Sequence, residues 1–89
     1  MSEANNVWRV DAGGIEHEIE VEHSTTTGKY EVRLDGTVVG NDRMWARKQN
    51  LDFDVAGHPA RVTLEFKYGG MGAGSALHLD ERYVEPLRK

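Results

Sequence analysis

Apolar and polar residues alternate strictly along two stretches of the chain. Ile15, His17, Ile19 and Val21 interleave with Glu16, Glu18, Glu20 and Glu22; Ala60, Val62, Leu64, Phe66 and Tyr68 interleave with Arg61, Thr63, Glu65 and Lys67. A period of two places one set on each face of a half-buried β-strand. A helix over the first stretch would instead stack Glu16 on Glu20 and Glu18 on Glu22, which repel at i,i+4. Turn chemistry separates the strands. Asp35-Gly36, between residues 30–34 and 37–39, supplies the positive φ angles of a two-residue type I′ hairpin. Ala12-Gly13-Gly14 and Gly57-His58-Pro59 punctuate the chain before the two long strands, and Pro86 closes the last one. Residues 1–6 lack any period and read as a frayed, disordered tail.

The same pattern recurs at an offset of 45 residues. Trp8 then overlies Phe53, Val10 overlies Val55, Ile15 overlies Ala60 and Ile19 overlies Leu64; Val32 overlies Leu77, Leu34-Asp35 overlies Leu79-Asp80, and Val39 overlies Val84. The spacing predicts pseudo-repeats over 7–39 and 52–84, with the apolar register running through four strands without a gap. Neither four-stranded unit can bury its apolar face alone. Packed together they give an all-β fold, an eight-stranded antiparallel β-sandwich spanning 7–89 as one domain. Exchange of strands between the sheets stays open. Residues 40–50 break the period and read as an extended crossover that pins Trp45 or Met44 onto the sandwich.

Composition narrows the chemistry. The chain has 89 residues and no cysteine, with Lys plus Arg 11 against Asp plus Glu 15, a net charge of −4. That rules out thiol catalysis and cysteine-bound zinc. It also argues against a nucleic-acid partner, which needs a concentrated basic footprint. Apolar runs of two or three residues leave nothing to cross a membrane. Same-face glutamates of the first long strand stand roughly 7 Å apart, too far to share one cation. They read as a solvated outer face neutralised by Arg9, Lys29 and Arg33. His17 falls in the apolar phase and reads as a satisfied core or rim histidine. His23, His58 and His78 fall on loops or another strand with no metal-ligand spacing, and no catalytic residues, metal site or cofactor are expected. The glycine-dense Gly69-Gly70-Met71-Gly72-Ala73-Gly74-Ser75 lacks the Lys-Ser/Thr of a phosphate loop. It overlies Ser24-Thr25-Thr26-Thr27-Gly28 and reads as the pseudo-symmetric sheet connection. On the outward faces, Arg33 should neighbour Val38, and His78 should neighbour Tyr83.

One segment carries a resemblance. Residues 20–36 read Glu-Val-Glu-His-Ser-Thr-Thr-Thr-Gly-Lys-Tyr-Glu-Val-Arg-Leu-Asp-Gly. Together with Trp8-Arg9-Val10 and His17-Glu18-Ile19-Glu20, this resembles the Fas apoptotic inhibitory molecule family, whose signature is a Trp-x-Val strand, an alternating Ile-Glu strand, Glu-His-Gly-Thr-Thr-Ser-Gly-Lys and Val-Asp-Gly-Lys. Met44-Trp45 resembles the family's Trp-Met pair in reversed order. Ser24 replaces a glycine, and the stretch 69–74 has no placed counterpart. The animal proteins carry two modules in tandem where this chain has one. The resemblance implies a β-sandwich with a non-enzymatic, cytoplasmic role; in animals that role is inhibition of death-receptor apoptosis and protection against protein aggregation. It brings no catalytic residues. The function so implied is a non-catalytic protein-binding module with an anti-aggregation or regulatory role. Its candidate contact residues are His23, Thr25, Thr26, Lys29, Arg33, Val38, His78 and Tyr83. The protein partner is unnamed, and open sheet edges favour a weak homodimer. The alternative is a binder of sugar, lipid or anion using a pocket at the 24–28 and 69–75 loop end.

Overall fold

The structure, a computed structural model, describes residues 3–24, 27–66 and 73–87. The strands are β1 (Glu3–Ala12), β2 (Ile15–Ser24), β3 (Lys29–Leu34), β4 (Thr37–Arg43), β5 (Lys48–Val55), β6 (His58–Phe66), β7 (Ala73–Leu79) and β8 (Arg82–Val84). They form two antiparallel four-stranded meanders in the orders β1-β2-β3-β4 and β5-β6-β7-β8, so no strand leaves its own half. Strand β1 starts at Glu3, because the residues read as a tail continue the ladder as far as Glu3 opposite Ser24. Among the described residues no helix is long and apolar enough to cross a membrane.

Four hairpins have the same tip. Gly13-Gly14 (φ 67° and 80°), Asp35-Gly36 (52° and 86°), Ala56-Gly57 (50° and 85°) and Asp80-Glu81 (52° and 67°) each place both central residues at positive φ. This is the type I′ geometry, whose twist matches that of the flanking strands. The fourth tip achieves it without glycine.

The apolar phases of the two sheets face each other and form one core. Trp8, Ile19, Val21 and Val32 from the first sheet pack with Val55, Val62, Leu64 and Leu77 from the second, all fully shielded from solvent. Polar contacts tie the sheets at their margins. Asn6 Nδ2 donates to Ser75 Oγ at 2.6 Å, and Leu87 N, beyond β8, donates to Val7 O at 2.8 Å. On the opposite margin β4 runs close over β5. Val39 is the extra residue of a bulge, and a methyl group on the next residue, Gly40, would come within 2.5 Å of Leu51 Cδ2.

The internal repeat holds, but not without a gap. Val10 faces His17 across six intervening residues, whereas Val55 faces His58 across two. Asp35 N donates to Glu18 O, and its counterpart Asp80 N donates to Pro59 O. Strand β2 therefore matches β6 at an offset of 41, His17 onto His58, while the other strand pairs keep 45. An even shift leaves every side chain on its original face. Alternation alone is blind to it. The longer first hairpin overhangs the second sheet, and Ile15, expected in the core, is 64 % exposed at its tip.

Candidate docking site at the loop end

The chain passes from the first sheet to the second at residues 44–47, and this crossover is held tightly. Met44 is buried in the core, and its N–H donates to Gly28 O at 2.7 Å. Gln49, itself buried, accepts from Trp45 N through Oε1 at 3.1 Å and donates through Nε2 to Tyr30 Oη at 3.2 Å and to Arg43 O at 3.5 Å. Of the two residues offered by the sequence as the pin, Met44 is the one. Trp45 points the other way and is 77 % exposed, the most exposed of the large apolar side chains among the described residues. Adjacent residues in extended backbone point to opposite faces, so burying one presents its neighbour.

The family-like segment builds the floor next to this tryptophan. Ser24 O accepts from Gly28 N at 3.0 Å, Ser24 Oγ accepts from Thr27 N at 3.4 Å, and Thr27 Oγ1 accepts from Lys29 N at 3.2 Å. Gly28 has φ 78°, and its buried carbonyl is the acceptor for Met44. The motif thus shapes a turn and hands the crossover its anchor. Beside it opens a concavity of about 540 Å³, lined by Glu22, Lys29, Glu31, Asn41, Asp42 and Arg43 among others. His23, expected on a loop, ends up near the close of β2 with 1 % exposure, edge-on to Tyr30 at 6.3 Å between ring centres. Burial lowers its pKa below 6.5. Burial likewise raises that of the Tyr30 phenol, against the opposing hydrogen bond from Gln49. His23 thus stands inside the wall of this concavity with its side chain shielded from solvent.

The charges of this end are unevenly satisfied. Arg33 collects Glu20, Glu22 and Glu31 at 3.3, 2.9 and 2.5 Å, and these bonds, Glu22 first, raise its pKa. Of the glutamate face expected to be neutralised by Arg9, Lys29 and Arg33, Glu20 and Glu22 meet Arg33, and Glu18 lies opposite Arg9. Lys29 lies directly opposite Arg43 in the β3–β4 register. Among the described residues neither forms an ion pair, nor do the exposed Arg47 and Lys48, although Lys48 faces Glu65 in register.

The remaining expected contact residues are dispersed. Arg33 and Val38 are cross-strand partners on the outer face of the first sheet, with Val38 46 % exposed. His78 and Tyr83 are partners on the outer face of the second, rings 5.7 Å apart. The sandwich puts these pairs on opposite sides. Thr25 and Thr26 lie outside the described residues, as does the glycine-rich connection up to residue 72. Trp45, Arg47 and Lys48 were missed because the crossover has no period to announce which side chains face out.

A family model for the Fas apoptotic inhibitory molecule (FAIM1) matches residues 4–77. A comparison with curated proteins finds no significant match. The match runs from the Trp8 strand through the His23–Lys29 turn and the crossover to Leu77 in β7, leaving β8 outside it, and the chain belongs to the Fas apoptotic inhibitory molecule family.

Proposed function

We propose that this protein is a non-catalytic protein-binding module whose contact surface is the loop end around Trp45, with an anti-aggregation or regulatory role in the cytoplasm. The observation that carries this reading is a tryptophan 77 % exposed on backbone that hydrogen bonds hold at Met44 N and at its own N–H. A large aromatic normally leaves water; held out rigidly, it offers a partner buried area without an ordering cost. Family membership supports the same direction. Any self-association is weak on this reading, since Leu87 covers part of the β1 edge and β4 lies against β5.

The test is suppression of light scattering by a heat-denatured client protein, comparing the wild type with Trp45→Ala. Suppression should fall severalfold in the variant while its melting temperature stays within about 2 °C, because an exposed side chain contributes little to stability. Equal suppression by both proteins overturns the assignment of this surface.

A further inference from the structure

We propose that the free edge of β1 is a self-association surface, where a second copy of this chain adds its own β1 antiparallel, with Arg9 of each copy opposite Asp11 of the other. The inference goes beyond the Trp45 reading and concerns a different surface. Strand β1 lies at the opposite margin of its sheet from β4, the strand from which the chain enters the crossover.

The backbone shows where this edge is open. Leu87 N donates to Val7 O at 2.8 Å, so the Val7 carbonyl faces away from β2. Successive residues of a paired strand turn their N–H and C=O groups to alternate sides, and β1 pairs with β2 from Glu3 to Ala12 without a bulge. The main-chain groups of Arg9 and Asp11 therefore face outward as well. Among the described residues no hydrogen bond meets them, and the tail reaches only Val7. An edge left open in this way is a template for another strand.

Charge selects the occupant and the register. Charged side chains usually guard an edge, but Arg9 and Asp11 are complementary to themselves. Both are exposed, and among the described residues neither forms an ion pair. Within their own sheet Arg9 faces Glu18, whereas Asp11 faces Glu16, and like charges directly opposite destabilise a sheet. A cation arriving on the open side of Asp11 offsets that repulsion. A two-fold axis through Val10 supplies it, because Arg9 of either copy then meets Asp11 of the other with their main-chain groups facing. A shift of two residues sets Arg9 on Arg9 or Asp11 on Asp11, and a shift of one turns outward groups against inward ones. In the complementary register Val7 stands opposite Gly13 at the tip of the other copy's hairpin. The tail bound at Val7 O therefore competes with the second copy, and the small interface keeps the dimer weak.

Sedimentation velocity of the full chain tests this, over a concentration series reaching about 1 mM because a small interface binds weakly. The wild type should pass from one chain per particle toward two as concentration rises. Leu87→Pro lacks the N–H that reaches Val7 O and should associate at severalfold lower concentration. Arg9→Asp and Asp11→Arg should each stay monomeric, since each sets like charges opposite one another between copies. Mixed in equal amounts the two variants should associate again, one presenting two carboxylates to the other's two guanidinium groups. Each charge variant should keep the wild-type melting temperature within about 2 °C, both positions being exposed and unpaired. Wild type and Leu87→Pro that both remain monomeric at the highest concentration overturn the proposal. So does association that the single charge variants leave unchanged, or that mixing them fails to restore. Association lost in Trp45→Ala and kept in the charge variants overturns it too, and places the contact at the crossover.

Discussion

Each half of the molecule carries one histidine–aspartate contact at the base of a hairpin. His17 Nδ1 donates to Asp35 Oδ2 at 2.7 Å, and His58 Nδ1 to Asp80 Oδ2 at 2.9 Å. A carboxylate can only accept, so the ring proton is on Nδ1. Asp35 accepts a second bond from Glu18 N at 2.8 Å, and this backbone donor, ahead of His17, holds its pKa below the ordinary 3.8. Asp52 is lowered likewise by Arg61. These carboxylates and the buried His23 act with the same sign. Each has a folded pKa below its unfolded one, so the unfolded chain takes up protons first and stability falls on acidification. His23 contributes above about 6.5 and loses that contribution as pH drops from there; the aspartates follow below about 3.8. Melting temperatures followed from pH 7.5 downward should therefore decline in two stages, and His23→Leu should remove the upper one alone. A decline confined to the acid limb in the wild type would contradict the assignment to His23. A different residue-level cost is at the fourth hairpin, where Glu81 takes φ 67° without being glycine. Left-handed backbone costs an L-residue roughly 1–2 kcal/mol, part of which glycine gives back in unfolded-state entropy. Glu81→Gly should stabilise the protein by roughly 0.5–1 kcal/mol, read from denaturant midpoints at constant m-value.

At the scale of elements, the crossover depends on one side chain. Gln49 satisfies Trp45 N, Arg43 O and the Tyr30 hydroxyl at once. Gln49→Leu keeps the volume and removes all three bonds, leaving a buried phenol and a backbone donor to find other partners. The expected cost is about 2–3 kcal/mol, and amide hydrogen exchange at Trp45 should accelerate well beyond that of Val21 in the central strand. Uniform acceleration at both positions would instead mean global destabilisation. The elements themselves were largely legible in the sequence. Strict alternation located β2 and β6, and Asp35-Gly36 located a type I′ tip because so few residue pairs tolerate two positive φ angles. The four-residue slip between β2 and β6 was not legible, since a period of two repeats itself under any even shift. The choice between Met44 and Trp45 was equally hidden. It depends on Gly28 offering a carbonyl and Gln49 an amide from distant parts of the chain. His23 was misplaced for a related reason: the turn begins later than its polar neighbourhood suggests.

For the molecule as a whole, two sheets share a core that neither owns. Leu77 in the second sheet and Trp8 in the first are both fully buried in the same cluster. Leu77→Ala should cost about 2–5 kcal/mol. In a Trp45→Phe background the only remaining tryptophan belongs to the first sheet. Its unfolding transition should move by the same amount as the circular-dichroism transition if the sheets melt together. Separate midpoints for the two probes would show that the halves hold independent stability.

The hairpin overhang has a consequence for how this architecture can change. The same two sheets are closed by a tight loop on one side and by an excursion four residues longer on the other. Length differences of two or four pass unnoticed by the interior, while a difference of one would turn a whole strand inside out. The molecule thus contains within itself a tolerated length variant of its own hairpin. Among its descendants, insertions at these tips should come in pairs.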